Sequence, residues 1–344
     1  MNDLYICYTY YHLLITIIKS LTNNLQYDLL ISIDIPQIDK MIDKIKQIKT
    51  IGNIYIINEA PYIELYESKN AIIAKITKRR ILSKVFNEMT NINILGYDNI
   101  YTYNDMNLAS SYLIVNEKKY HLIEDALDFF NYFDEYYNLK KWQYTQSNIF
   151  HKLKAWLKIG TNPWGQNKYC LDIEVNDISK IKISNKKVKE LRRRKLFDSL
   201  TKQDKVIIYN LFTGNNVTER VIKGEKKQMI LFTQPLFKDG FVKSEMEQLI
   251  VYKNIINEYY EKNFQVTIKP HPRDNIEYSN LIEEYECNYI DKNIPSEVLN
   301  FNQNVCCDDI VSITSTSINF VQNVKNRRLL GKEYIKECIK KNEN

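Results

Sequence analysis

The chain opens, over residues 4–57, with the sequence LYICYTYYHLLITIIKSLTNNLQYDLLISIDIPQIDKMIDKIKQIKTIGNIYII, in which short apolar runs alternate with longer segments. Residues 4–8, 28–33 and 53–57 are the apolar runs. Residues 12–20, between the first two runs, have helical length, and residues 38–48, between the last two, have apolar residues at helical spacing. Strands that are apolar throughout and alternate with helices are typical of a parallel sheet covered by helices. The opening therefore predicts a β-α-β-α-β unit.

The alternation continues in two blocks. In the first block, apolar runs predict strands over residues 99–103, 112–115 and 120–123, and residues 71–89 predict a basic helix. In the second block, the same criteria predict a long helix over residues 242–260 together with several strands. These strands cover residues 205–210, 228–232, 264–268, 287–290 and 309–314.

The length of 344 residues and the weak pattern between the blocks indicate two domains. We assign residues 1–150 to an N-terminal Rossmann-like domain and residues 205–325 to a C-terminal one. Residues 151–204 are predicted to be a linker with connecting helices, and residues 326–344 a helical tail. In such sheets, ligands bind outside the carboxyl ends of the strands. The predicted fold class is α/β, with two Rossmann-like domains whose parallel sheets face a central cleft.

Charge excludes one class of protein and leaves another open. The chain has 48 Lys and Arg against 42 Asp and Glu, and this net charge of +6 is too small for a dedicated duplex-DNA binder. One basic run, residues 186–195, is interpreted as a solvated linker or helix face, with contact to lipid head groups or an acidic glycan as the alternative. A non-catalytic protein that binds polyanions through this run remains a competing hypothesis.

The cysteines and the N-terminus indicate the compartment. The six cysteines form no C-x-x-C pair, and the N-terminus lacks the features of a signal peptide. Chains without a disulfide framework are typical of the reducing cytoplasm. Residues 4–21 are too polar for a membrane-spanning helix. We expect a cytoplasmic protein and leave open a peripheral contact at the inner face of the membrane.

The usual phosphate-binding and hydrolase signatures do not occur. The Walker A, G-x-G-x-x-G and G-x-S-x-G patterns are all absent from a sequence that has only eight glycines. Asp172 and Glu174 could mimic an acidic metal-binding pair, but they lie in the predicted linker, so no metal is predicted. A phosphate must therefore be held by other groups, and three places in the sequence qualify.

The first place is the turn at residues 269–273, Lys-Pro-His-Pro-Arg, which follows a predicted strand. The two prolines restrict the backbone on both sides of His271, and the strand brings its imidazole to the carboxyl edge of a sheet. An imidazole fixed beside Lys269 and Arg273 can donate a hydrogen bond to a phosphate oxygen or a proton to a leaving phosphate. A structural histidine in a rigid turn is the alternative. The other three histidines are expected to pack or cap, or to face solvent: His12, His121 and His151.

The second place is the acidic pair Glu124 and Asp125, which follows the strand predicted over residues 120–123. Adjacent like charges at the end of a strand are unfavourable for structure alone, and one of them can serve as a general base. Alternatively, Asp125 could cap a helix over residues 126–137. Capping and catalysis are compatible, and the sequence supports both equally.

The third place is residues 312–317, Ser-Ile-Thr-Ser-Thr-Ser, at the end of the last predicted strand. Hydroxyl groups and unpaired N–H groups at a helix N-terminus form an anion site, and an ordinary Ser/Thr cap is the alternative. Four consecutive hydroxyl residues favour phosphate binding.

The acidic pair, the His-Pro turn and the Ser/Thr run occur in an order that resembles the bacterial sialyltransferases of glycosyltransferase family 52, with kinship to the bacterial polysialyltransferases. Residues 6–9 and the apolar helix after them resemble that family's N-terminal strand and helix, where the family often has Gln in place of His12. Residues 230–236, Ile-Leu-Phe-Thr-Gln-Pro-Leu, resemble its first C-terminal-domain strand and loop. The resemblance covers residues 4–20, 112–127, 228–247 and 264–320.

The resemblance implies a GT-B fold, with the acceptor on the N-terminal domain and the nucleotide sugar on the C-terminal domain. The reaction would be inverting and metal-independent, without a cofactor, and would use CMP-sialic acid as the donor. The implied acceptor is a galactoside of a bacterial capsule or lipooligosaccharide, and an α2,3 bond is the family's commonest outcome. A related GT-B transferase that uses a UDP-hexose is the main alternative. No nucleic-acid partner is implied, and a homodimer is left open.

The resemblance also implies roles for individual residues. Asp125 matches the base of an acidic-acidic-Gly motif, although the glycine is Ala126 here, and Asp239 and then Glu124 are the next candidates. His271 matches the histidine that contacts or protonates the CMP phosphate. The other implied donor-binding positions are Lys269, Pro272, Arg273, Thr233, Gln234, Pro235, Ser315, Thr316 and Ser317.

Overall fold

The computed structural model describes residues 2–59, 82, 84, 86–88, 90–125, 164–181, 187–214, 226–302 and 307–343. The chain divides into two compact units, Met1–Thr201 and Lys202–Asn344, and each contains a parallel sheet with helices packed on it. The predictions for residues 126–137, for His151 and for most of residues 71–89 lie outside the described residues.

The first unit contains a seven-stranded parallel sheet with the order β3-β2-β1-β4-β5-β6-β7. The strands are β1 (Asp3–Cys7), β2 (Tyr27–Ser32), β3 (Ile51–Ile57), β4 (Asn99–Thr102), β5 (Tyr120–Ile123), β6 (Cys170–Val175) and β7 (Val188–Glu190). The described helices are α1 (Tyr10–Asn23), α2 (Ile38–Lys46), α3 (Leu108–Val115) and α4 (Arg193–Ser199), with 3-10 turns at Ile94–Gly96 and Ile178–Lys180. The β-α-β-α-β prediction for the opening is confirmed.

The start of α1 positions residues at the carboxyl edge of this sheet. The Thr9 hydroxyl accepts the backbone N–H of His12 at 3.2 Å and caps the helix, while Asn24, in the left-handed conformation, ends it. Because β1 ends at Cys7, only two residues separate the strand from the helix. The first turn of α1 therefore lies directly beyond the end of a central strand.

The second unit contains a five-stranded parallel sheet with the order β10-β9-β8-β11-β12. The strands are β8 (Lys227–Phe232), β9 (Phe264–Lys269), β10 (Asn288–Tyr289), β11 (Cys307–Ser312) and β12 (Val324–Leu329). The described helices are α5 (Lys202–Thr213), α6 (Glu245–Glu261), α7 (Ser279–Glu284) and α8 (Gly331–Glu343), with 3-10 turns at Ser296–Phe301 and Thr316–Asn319. The side chain of Ser244 caps α6 by accepting the N–H of Glu247 at 3.2 Å.

Two predicted strands are wrong and belong to helices. Residues 112–115 lie in α3, whose residues 108–113 are all buried, so the sequence has no polar face to mark its helical period. The side chain of Asn107 accepts the N–H of Ser110 at 2.8 Å and starts this helix. Residues 205–210 lie in α5, where the buried positions Ile208, Leu211 and Phe212 follow helical spacing.

The linker predicted over residues 151–204 is also wrong, because two strands from it extend the first sheet. In β6, buried Ile173 and Val175 alternate with the charged side chains of Asp172 and Glu174, so the strand has no apolar run to reveal it. The boundary between the units lies at residue 201 instead. Likewise, residues 326–329 were predicted as part of the helical tail but belong to β12. This strand lies at the edge of the second sheet, where its basic side chains are exposed.

The turn that leads into β6 is anchored by a buried carboxylate. Asp105 accepts the N–H groups of Trp164 and Gly165 at 2.8 and 2.9 Å, and the hydroxyl of Tyr120 at 3.0 Å. Gly165 has φ +70°, and a Cβ there would lie 2.5 Å from the Ile173 side chain, so only glycine fits. These hydrogen bonds hold the turn before β6 against the rest of the first unit.

Candidate functional site

The His-Pro turn lies at the carboxyl end of β9, as predicted, and a buried lysine holds its shape. The ammonium of Lys269 donates to the carbonyl oxygens of Pro270 and Lys292, both at 3.0 Å, and burial lowers its pKa to about 7. The ammonium group of Lys269 is thus bonded to backbone carbonyl oxygens of the protein itself. The structure supports a positioning role for Lys269 in place of the predicted donor contact.

Asp274 organises the same turn and was missed in the sequence. Its buried carboxylate accepts the Thr233 hydroxyl at 2.6 Å, the Tyr278 hydroxyl at 2.7 Å and the Gln248 side-chain amide at 3.1 Å. Its backbone N–H donates to the carbonyl oxygen of His271 at 2.8 Å. Thr233 is therefore part of the support of the turn. An acidic residue directly after a basic turn is the signal that could have pointed to it.

Replacing Asp274 with Ala should destabilise the second unit, because the buried hydroxyls of Thr233 and Tyr278 and the amide of Gln248 would lose their shared acceptor. We expect the free energy of unfolding to fall by about 3 kcal/mol, measured by urea unfolding with intrinsic fluorescence. Asp274→Asn, which keeps the size and one acceptor oxygen, should lose less. Equal stability of wild type and Asp274→Ala would contradict the proposed support of the turn.

The imidazole of His271 is oriented within the turn. Its Nδ1 accepts the backbone N–H of Arg273 at 3.1 Å, so in the neutral ring the proton is on Nε2. Burial, together with the cations Arg273 and Lys269, lowers its pKa. The neutral ring that dominates at pH 7 can therefore donate a hydrogen bond from Nε2. Pro272 restricts the backbone conformation next to His271.

Asp239, the second candidate base, is paired with Arg273. The two guanidinium nitrogens Nη1 and Nη2 lie 3.2 and 3.3 Å from its two carboxylate oxygens. Both oxygens of this carboxylate are therefore engaged by the guanidinium group. A cavity of about 210 Å³ lies beside Arg273 and is lined by residues of the loops after β8 and β9, among them Pro235 and Lys238, and by Glu245 and Gln248 of α6.

The Ser/Thr run lies at the end of β11, next to the loop after β8. The side-chain oxygen of Gln234 accepts both the N–H and the hydroxyl of Thr314, at 2.8 and 2.9 Å, and joins the two loops. The Ser315 hydroxyl accepts the N–H of Ser317 at 3.3 Å. The helix predicted here is a single 3-10 turn, Thr316–Asn319, so it carries no extended helix dipole.

The acidic pair ends β5 in the first unit, and its two members differ. Glu124 is buried, accepts the N–H of Asn176 at 2.5 Å, and has a pKa raised by burial. Asp125 is 28% exposed. The buried Glu124 links β5 to the segment after β6, and the partly exposed Asp125 is the member that a substrate could reach.

His12 contacts Asp125 and was not predicted as a site residue. Its Nε2 lies 2.5 Å from Asp125 Oδ1, and its ring stacks on Tyr103 with centroids 4.2 Å apart. The packing predicted for His12 is present, but the hydrogen bond joins residues 113 positions apart. No local signal could have shown it.

A buried ion cluster lies on the strand next to this pair. Glu174 binds both Lys19 and Arg193, whose Nη1 is 2.7 Å from Glu174 Oε1. These cations keep the pKa of Glu174 below its usual value despite burial, which acts in the opposite direction. Arg193 comes from the basic run, so that run is partly buried and structural.

Asp172, the other acidic residue of β6, is also bonded to basic side chains, those of His121 and Lys189. Asp172 Oδ1 lies 2.8 Å from His121 Nδ1, and its other oxygen accepts from Lys189 at 2.6 Å. The His121 ring also stacks on Tyr101 with centroids 4.7 Å apart, as the packing prediction for His121 requires. Among the residues that the structure describes, no three His, Cys, Asp or Glu side chains come together as metal ligands.

Comparison with known proteins agrees with this architecture. The chain resembles an α/β-galactoside α-2,3-sialyltransferase from Photobacterium phosphoreum at 13% identity and a TM-score of 0.54, with 94% of this chain and 90% of that one covered. It also resembles a sialyltransferase from Photobacterium damsela at 13% identity and a TM-score of 0.52, over 95% and 74% of the two chains. The GT-B domain of a sialyltransferase from Photobacterium damselae matches at 14% identity and a TM-score of 0.51, over 95% and 90%. The predicted GT-B fold is thereby confirmed.

Two further findings concern the helices of the chain and its sequence. None of the helices in the described ranges combines the length and the apolar character needed to cross a membrane. Among curated proteins, no sequence matches the chain. The model of glycosyltransferase family 52 matches residues 65–330, which is more than half of the chain. The chain belongs to glycosyltransferase family 52.

Proposed function

We propose that the protein transfers sialic acid from CMP-sialic acid to a galactoside acceptor of a bacterial surface glycan, such as a capsule or a lipooligosaccharide. The observation that carries this proposal is His271, held at the carboxyl end of β9 with Nδ1 occupied and the proton on Nε2. Membership of family 52 and a fold shared with sialyltransferases support it.

The proposed reaction is an inverting displacement. The acceptor hydroxyl oxygen forms a bond to the anomeric carbon of sialic acid while the bond from that carbon to the phosphate oxygen of CMP breaks, and its electron pair leaves with the phosphate. Asp125 takes the proton of the acceptor hydroxyl. His271 stabilises the leaving phosphate through a hydrogen bond from Nε2, and the 3-10 turn with Ser315 and Ser317 offers further donors.

Three carboxylates were candidates for the base, and the geometry favours Asp125. Glu124 is buried and bound to a backbone N–H, and Asp239 is held by Arg273. Asp125 is partly exposed at the end of β5, and its hydrogen bond to His12 engages one oxygen, Oδ1, whereas Arg273 engages both oxygens of Asp239. An α2,3 bond to galactose is the linkage that we propose.

We also propose that the reaction takes place in the cytoplasm. The five described cysteines, which are Cys7, Cys170, Cys287, Cys307 and Cys338, are buried thiols, as suits a reducing compartment. In the basic run, Lys189 and Arg193 are engaged with acidic residues of β6. Those ion pairs weigh against the polyanion-binding hypothesis and leave fewer cations for contact with a membrane.

Donor competition tests the proposal directly. Purified protein is incubated with lactose and either CMP-sialic acid or a panel of UDP-hexoses, and nucleotide release and product mass are measured. We expect turnover with CMP-sialic acid alone, unchanged by a chelator, since the proposed groups supply all the charge stabilisation. Turnover of a UDP-hexose without turnover of CMP-sialic acid would refute the proposed donor. Strong inhibition by the chelator would refute the metal-independent mechanism.

A further inference from the structure

We infer that His12 is a positioning residue that holds the carboxylate of Asp125 in place for catalysis. This inference rests on the proposed function, because it takes Asp125 as the general base. It goes beyond that function by giving a role to a buried histidine at the start of α1.

Both ring nitrogens of His12 have a defined partner. The backbone N–H of Tyr8 donates to Nδ1 at 3.0 Å, so the neutral ring carries its proton on Nε2. That proton is directed to Oδ1 of Asp125, 2.5 Å away. The hydrogen bond therefore runs from histidine to aspartate and fixes one carboxylate oxygen, Oδ1, in a defined position.

The ring of His12 is fixed by burial and by stacking as well as by its two hydrogen bonds. It is 1% exposed and lies nearly parallel to Tyr103, with an interplanar angle of 6°. The hydroxyl of Tyr103 is in turn 2.9 Å from the Thr16 hydroxyl, one helical turn further along α1. The donor nitrogen thus has a fixed position relative to β5, and a carboxylate bound to it has one oxygen fixed as well.

Packing alone does not account for a histidine at this position. A ring that only filled the space against Tyr103 could be fully apolar, because burying an imidazole costs free energy unless its nitrogens are bonded. Here the bonds are made to the end of β1 on one side and to the acidic pair after β5 on the other. These two strands flank β4 in the sheet, so His12 connects the elements that surround the base.

A matched pair of variants tests the inference. His12→Gln keeps an amide N–H that reaches about as far as Nε2, whereas His12→Met has a similar length and no donor. Both variants lose the acceptor for Tyr8 N–H, so they differ chiefly in the bond to Asp125. We expect kcat for sialyl transfer to fall by about 10²-fold in His12→Met, with KM for CMP-sialic acid nearly unchanged, and to be largely restored in His12→Gln.

The outcomes separate this inference from the proposed function. Equal kcat values for His12→Met and His12→Gln, at equal melting temperatures and with Asp125→Asn inactive, would overturn the positioning role alone. An absence of sialyl transfer in the wild-type protein would refute the proposed function instead. Should His12→Met unfold, a kcat in His12→Gln lowered as far as in Asp125→Asn would also overturn the inference.

Discussion

Replacing His271 with Ala is expected to lower kcat for sialyl transfer by about 10²–10³-fold, the range for loss of one hydrogen-bond donor to charge that develops in the transition state. The loss should be large because Nε2 is the donor that the turn presents, with Nδ1 already bonded to Arg273 N–H. Rates are measured as CMP release with CMP-sialic acid and lactose. Circular dichroism should show that the fold is intact, since the lysine and the aspartate that shape the turn remain.

His271→Gln is the matched variant for this experiment. Its amide can donate a hydrogen bond to a phosphate oxygen but cannot supply a proton, so it separates a clamp from an acid. Activity well above that of His271→Ala would support the hydrogen-bonding role, and equal loss would contradict it and indicate proton transfer from the protonated ring. Turnover of His271→Ala near the wild-type rate would remove His271 from the site.

The pH dependence of the same residue has a definite sign. Because burial and neighbouring cations lower the pKa of His271, its ring in the folded protein stays neutral until the pH falls below the ordinary histidine value of about 6.5. The unfolded chain binds this proton first as the pH falls, so the contribution of His271 to stability is present above that value and is lost below it. An NMR titration of the ring should therefore give a midpoint below that of a histidine in the unfolded chain.

Asp125→Asn is the second substitution with a large expected effect, a fall in kcat of about 10²–10⁴-fold. Asparagine keeps an oxygen that can accept from His12 Nε2 but cannot take the acceptor proton, so the change removes basicity with little change in shape. Asp239→Asn, measured alongside, should chiefly raise KM for CMP-sialic acid, because it weakens the pair that holds Arg273. Full activity of Asp125→Asn together with loss of kcat in Asp239→Asn would transfer the role of base to Asp239.

Much of the site was predictable because its signals are local. Prolines on both sides of His271 act on the backbone at that position, and an apolar strand before it determines the sheet edge at which it lies. The same reasoning placed Glu124 and Asp125 at the end of β5. The sequence did not distinguish between them, because burial separates the two carboxylates and burial depends on the strand that packs alongside.

Two of the wrong secondary-structure predictions have clear physical causes. The strand predicted over residues 112–115 is part of a helix that is buried on all faces, and a fully apolar run has no period to distinguish helix from strand. Strand β6 was missed because Asp172 and Glu174 alternate with its apolar residues, so the strand contains no continuous apolar run. Their charges are tolerated because cations from α1, β7 and α4 neutralise them.

The length of the chain indicated two domains, and sequence patterns were sufficient to predict the α/β class and the positions of His271, the acidic pair and the Ser/Thr run at strand ends. These features depend on patterns within a few residues, where propensity and periodicity act directly. The contacts of His12 with Asp125, of Arg273 with Asp239 and of Asp274 around the His-Pro turn became visible only in the folded chain. Such pairs bring together residues far apart in the chain or displayed by different loops, so their geometry exists only once the strands have paired and the helices have packed.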